Sequence, residues 1–216
     1  MVFAHGYDVG PDTYSRFCTQ LASTGYVVAA PSFPLEDPSR GNGLDRSDLP
    51  NEAADVSFVI SSMASDARFA SRLAAPRVAV VGHSDGADVA LMVGYAQGHV
   101  DPRVRAIVAD APDPITDQVV PSDVPLLLVQ GDADDVVPYS SSQTVFGQVR
   151  APRYYLTLLG GTHLPPITGG TRWTPVLDSA VMAFLDAEVA GRTLPSTLAA
   201  VLGASPLVRL ATADTG

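Results

Sequence analysis

Val78-Ala79-Val80-Val81-Gly82-His83-Ser84-Asp85-Gly86 decides how this chain folds. The apolar run Val78 to Val81 reads as a buried strand and residues 88–97 as a helix, so Gly82 to Gly86 must turn one into the other. In a G-x-S-x-G turn the glycines leave room for a sharp reversal. The serine then takes a strained backbone conformation and its hydroxyl stands clear above the end of the sheet. Ser84 is therefore the candidate nucleophile. Gly and Ser are common turn residues, so the weight of this reading comes from what surrounds it.

Working outward, the same strand, turn and helix grammar recurs. Met1 to Ala4 reads as a short strand emptying into His5-Gly6-Tyr7. Tyr14, Phe17, Cys18 and Leu21 fall at i, i+3, i+4 and i+7, a helical stripe closed by Gly25. Tyr26-Val27-Val28-Ala29-Ala30 reads as a buried strand stopped by Pro31 and Pro34. Residues 36–50 form a turn-rich loop, and Pro50 opens a helix carrying Val56, Val59, Ile60 and Met63. A second short helical piece is expected over 66–73. Beyond the elbow helix, strands are expected at 104–108, 124–129 and 154–159. A helix carrying Val145, Phe146 and Val149 and a last long one with Leu177, Val181, Phe184 and Leu185 complete the pattern. A short docked helix over 194–202 and a frayed end from Ala211 are expected at the C-terminus. Alternating strands and helices of this length imply parallel units in an α/β sheet of about six strands, covered by helices on both faces. The reading is one domain over 1–216, with a core over 1–190 and an extension over 191–216.

Composition narrows the function. The chain has 216 residues, 46% of them hydrophobic, enough for one well-buried core. Its net charge of -10, with all 13 basic residues arginine, leaves no basic patch for nucleic acid or an acidic membrane. Cys18 is the single cysteine, which rules out an intrachain disulfide and any cysteine-cluster metal site. It reads as a core residue. No apolar run approaches the ~20 residues of a membrane span, and residues 1–25 lack the charged start and cleavage site of a signal peptide. The compartment stays open. Too few glycines stand in register anywhere for a phosphate-binding fingerprint, and no cofactor is assigned.

A serine needs a base, ordinarily histidine. Of the four histidines, His5 and His83 sit inside turn motifs, and the elbow points the side chain of His83 away from that of Ser84. His99 lies past the far end of the elbow helix, ~20 Å away at ~1.5 Å per residue. His163 follows a strand and so shares the carboxyl edge with Ser84, where open α/β sheets place their sites. The acid that orients it is to be sought among Asp110, Asp132, Asp134 and Asp135 at the same edge. The last three could also recommend themselves to a divalent cation, but no second ligand set is in register, and no metal is assigned.

These residues carry a family resemblance. The chain resembles the α/β-hydrolase superfamily: Ser84 in its glycine elbow, an acid after the next-but-one strand and a histidine after the last, in the order Ser, Asp, His. Gly131 to Pro138 is similar to that family's acid turn, with the acid three residues after the glycine and four before the proline, and the resemblance places Asp134 there. His5-Gly6-Tyr7 is similar to its oxyanion loop, which implies the backbone N–H groups of Tyr7 and Asp85 as oxyanion donors. Among its branches the chain looks most like lidless esterases of the dienelactone-hydrolase-like, chlorophyllase-like and polyester-hydrolase-like kinds, though dienelactone hydrolases proper carry a cysteine nucleophile. The stretch between Asp110 and Val124 is too short for a cap domain. The two strands that usually precede the one at Met1 to Ala4 are lacking, from truncation or from a minimal version of the fold.

The reading is a serine hydrolase that cleaves small or polymeric carboxylic esters through an acyl-enzyme, with Ser84, His163 and Asp134 catalytic and Tyr7, Leu164 and Trp173 as substrate contacts. The alternatives are a catalytically weak binding protein on the same fold, or thioester or amide cleavage by the same residues. The uncharged edge at residues 26–30 has no feature that blocks strand pairing, and a homodimer across it is expected.

Overall fold

A computed structural model describes residues 1–73, 77–191, 198 and 205–213. Its centre is a six-stranded sheet in the order β1 (Val2–Ala4), β2 (Val78–His83), β3 (Val104–Asp110), β4 (Leu126–Gly131), β5 (Arg153–Leu158) and β6 (Val208–Ala213). The first five are mutually parallel, and β6 runs antiparallel to β5. This is the mostly parallel α/β-hydrolase architecture that the elbow implied.

Side chains along these strands alternate between two cores, as the period of 2 requires. Val80, Ile107, Ala109, Leu126 and Leu128 pack with α2 (Leu49–Ser65), α3 (Asp85–Tyr95) and α4 (Tyr139–Gln148) on one face. Ala79, Val81, Ala106, Val108, Leu127 and Val129 pack with α1 (Ser15–Ser23), α5 (Pro165–Thr168) and α6 (Thr174–Glu188) on the other. Burial on both faces explains why the strands read as unbroken apolar runs. The elbow helix α3 is buried almost all round, sandwiched between the sheet and α2.

The structure corrects three expectations. Residues 26–30 are not a strand: only Ala29 bridges Val2, with N–H to O bonds of 3.0 and 2.8 Å to Met1 and Phe3. The stretch still borders β1, but Pro31 removes a ladder donor and turns the chain away after one bridge. The C-terminal end is not frayed from Ala211, because residues 208–213 form β6 on the open edge of β5. Residues 66–73 form successive turns instead of a helix. The short helix expected over 194–202 lies, apart from the buried Leu198, outside the described residues.

Residues 111–125, between β3 and β4, contain no helix. Among the described residues no helix is long and apolar enough to cross a membrane.

Candidate active site

Ser84 follows β2 directly and sits at φ 57°, ψ -128°, a conformation that costs a non-glycine residue about 1–3 kcal/mol. The surroundings hold it there. Its N–H donates to the Asp110 carbonyl at the end of β3 (2.9 Å), and its carbonyl accepts from Ala87 N–H (2.7 Å) to start α3. The turn is too tight for a side chain before it: a Cβ on Gly82 would lie 1.9 Å from the Gly86 carbonyl oxygen. Ser84 itself remains partly accessible, between buried His83 and buried Asp85.

His163 lies in the loop after β5 and Asp134 in the turn after β4, both at the carboxyl edge that Ser84 occupies. Their loops meet because Gly131 and Gly161 touch backbone to backbone; a Cβ on Gly131 would fall 2.0 Å from the Gly161 oxygen. His163 Nδ1 bonds Asp134 Oδ2 at 2.9 Å. Asp134 Oδ1 accepts from the N–H groups of Val136 and Val137, both at 2.9 Å, so the turn itself aims the carboxylate. Burial works to raise the Asp134 pKa, yet the bonds from His163, Val136 and Val137 outweigh it and hold the carboxyl below its ordinary value. In a neutral ring, an ionised acceptor on a histidine Nδ1 leaves Nε2 without a proton and able to act as a base.

The competing acids are placed differently. Asp132 and Asp135 are exposed, and Asp132 Oδ1 accepts from Gly160 N–H at 2.5 Å. Asp110 is buried, and burial followed by the charge of Asp134 raises its pKa well above the ordinary value. It is the carboxylate of Asp134, not that of Asp110, that bonds His163 Nδ1. Ser84 Oγ and His163 are not hydrogen-bonded to each other among the described residues, although the rings of His83 and His163 lie 4.5 Å apart. Such bonds commonly tighten only when substrate binds.

The His5-Gly6-Tyr7 loop abuts the serine: a Cβ on Gly6 would lie 3.0 Å from Ser84 Cβ. Asp85 is the first residue of α3, so its N–H has no partner within the helix. Tyr7 is 39% exposed. Leu164 and Trp173 both pack against the core, and Trp173 Nε1 donates to the Leu159 carbonyl (3.0 Å) while Arg172 stacks on its ring at 4.5 Å. Trp173 thus braces the loop that carries His163.

Several residues of the site escaped the sequence reading. Gln130, a polar residue ending an apolar strand, donates to the Val137 carbonyl (2.7 Å) and to Asp134 Oδ2 (3.4 Å), and Ser142 Oγ donates to its Oε1. That polar intrusion into Leu126 to Val129 was a readable signal. Behind the elbow, Arg46 Nε grips Asp85 Oδ2 at 2.6 Å and its Nη2 reaches Asp113 at 2.8 Å. Glu36 and Glu52 are fully buried there, and burial pushes the pKa of each carboxyl up. Nothing local in the sequence marked them. His5, read as part of the oxyanion loop, is a strut: its Nε2 accepts from Phe33 N–H at 2.9 Å.

A strained serine at the head of a buried helix, and a histidine and carboxylate paired at the same sheet edge, define an α/β-hydrolase. The family model of PET hydrolase-like proteins matches residues 2–191. The chain belongs to that family and is a carboxylic ester hydrolase. A search of curated proteins finds no match.

Proposed function

We propose that the chain cleaves carboxylic esters by a two-step acyl transfer in which Ser84, His163 and Asp134 form the triad. His163 Nε2 takes the Ser84 proton as Oγ attacks the ester carbonyl. The N–H groups of Tyr7 and Asp85 receive the developing oxyanion. Collapse releases the alcohol, protonated by His163, and leaves an acyl group on Ser84; water activated by the same histidine then frees the acid. The observation that carries this reading is the 2.9 Å bond from His163 to an Asp134 carboxylate already aimed by two backbone donors, at the edge where Ser84 is strained into the elbow.

With no helix over residues 111–125, the site is a lidless, open cleft, suited to a small ester and to a segment of a polymeric one. Tyr7, beside the elbow, and Leu164, next to the base, are its substrate contacts, and Trp173 acts through the loop it braces. A fluorophosphonate probe should label Ser84, and Ser84→Ala should lower hydrolysis of p-nitrophenyl esters by ~10⁴-fold or more. A wild-type protein that takes no label and turns over no ester of any chain length would refute the reading and leave a binding protein on a hydrolase fold.

A further inference from the structure

His83 points away from Ser84 and is no base for it, yet its ring contacts the loop of His163 directly and the His5-Gly6-Tyr7 loop through Tyr14. Its ring is buried. Nδ1 lies 2.9 Å from Tyr14 Oη, and Nε2 lies 3.1 Å from the carbonyl oxygen of His163. Tyr14 Oη in turn accepts from the N–H of Gly6, in the oxyanion loop, at 3.3 Å.

Only one arrangement of protons satisfies every contact. The His163 carbonyl can only accept, so Nε2 must carry a proton. In a neutral ring Nδ1 is then an acceptor, and the Tyr14 hydroxyl, already accepting from Gly6, donates its own proton to it. The opposite tautomer would set two acceptors against each other at Nε2 and strand the buried phenol proton. Burial, with His163 alongside acting in the same sense, pushes His83 down to about 3, so the ring is neutral.

We propose that His83 is a positioning residue: through Gly6 N–H to Tyr14, Tyr14 O–H to His83 Nδ1, and His83 Nε2–H to the His163 carbonyl, it ties the oxyanion loop to the loop of the base. The nucleophile is the next residue in the chain, so one side chain sets the relative position of all three parts. The role rests on the reading of Ser84 and His163 as nucleophile and base. The His163 backbone is otherwise reached through the Gly131 and Gly161 contact and the turn into α5. Displacements of the order of 1 Å in such a constellation cost about 10²-fold in rate.

Two measurements on the full chain test this. Long-range proton to nitrogen correlation on the ¹⁵N-labelled wild type, with His83 assigned by its loss in His83→Gln, should show a protonated Nε2 and a bare Nδ1 at neutral pH. The reverse tautomer, or an imidazolium, would overturn the assignment whatever the enzyme's activity. Kinetically, His83→Phe keeps a ring but cannot donate, and should lose ~10- to 100-fold in kcat with KM little changed. His83→Gln, whose amide can reach the His163 carbonyl, should recover most of that. Equal rates for the two variants, with Ser84 labelled normally in both, would overturn the positioning role alone. A wild type that takes no label would overturn the triad reading and the role together.

Discussion

Replacing Asp134 by asparagine tests the geometry of the triad more sharply than deleting it. Asp134 Oδ1 accepts two backbone N–H bonds, from Val136 and Val137, each 2.9 Å long. An asparagine must keep its carbonyl oxygen there, because an NH₂ group in that place would face two donors. Its amide nitrogen then falls at the Oδ2 position, 2.9 Å from His163 Nδ1. An NH₂ can only donate, so Nδ1 must give up its proton and Nε2 must take one. The nitrogen that should accept the Ser84 proton is thereby occupied. With the backbone undisturbed, this tautomer inversion should lower kcat by ~10⁴-fold, about 5 kcal/mol of transition-state stabilisation. The assay is kcat and KM on a soluble p-nitrophenyl ester, with circular dichroism and thermal melting to show that the fold survives. Asp132→Asn and Asp135→Asn, at exposed positions, should stay within a few-fold of wild type. A loss of less than ~10-fold in Asp134→Asn, or a crippling one in Asp110→Asn, would show that another carboxyl orients the base.

Two further outcomes follow from parts of the molecule away from the triad. Burial first, then the charges of Asp48, Asp85 and Asp55, push the Glu52 pKa up to about 8, whereas in the unfolded chain it is ordinary, ~4.3. Between those values the folded state holds a proton that the unfolded state has lost, so stability is full below the lower one and falls as pH rises toward 8. Urea midpoints at pH 5 and pH 8 should therefore differ less in Glu52→Gln than in wild type, and an unchanged pH dependence would mean that Glu52 is not buried as a neutral acid. Residues 26–30 bear on assembly, since the homodimer expected of them presumed a strand where the structure has a single bridge to β1: a dimer sedimenting at micromolar concentration that Val28→Lys dissociates would restore the pairing. A monomer unaffected by that substitution would remove the pairing.

The sequence by itself determined the mostly parallel sheet and the place of Ser84 and His163 at its carboxyl edge, because these rest on local chemistry. Strands buried on both faces must be apolar throughout, a strand-to-helix reversal needs its glycines, and a residue that follows a parallel strand lies at the carboxyl edge. It also pointed to Asp134, where the turn's own backbone aims the carboxylate. What it could not decide were matters settled between segments far apart in the chain. Residues 26–30 and 208–213 differ little in strand character, yet only the second forms a ladder, because β5 offers it six partners while Pro31 ends the first after Ala29. Asp110 shares its edge with Asp134 but is buried, with its pKa pushed well above the ordinary value, a distinction made by the packing around it. The bond of Tyr14 to His83 spans 69 residues, and those of His83 and Asp134 to the His163 loop span 80 and 29. Spacing along the chain says nothing of such contacts, because the direction of a buried polar side chain is set by the donors and acceptors that folding brings around it, and only the tertiary structure brings them together.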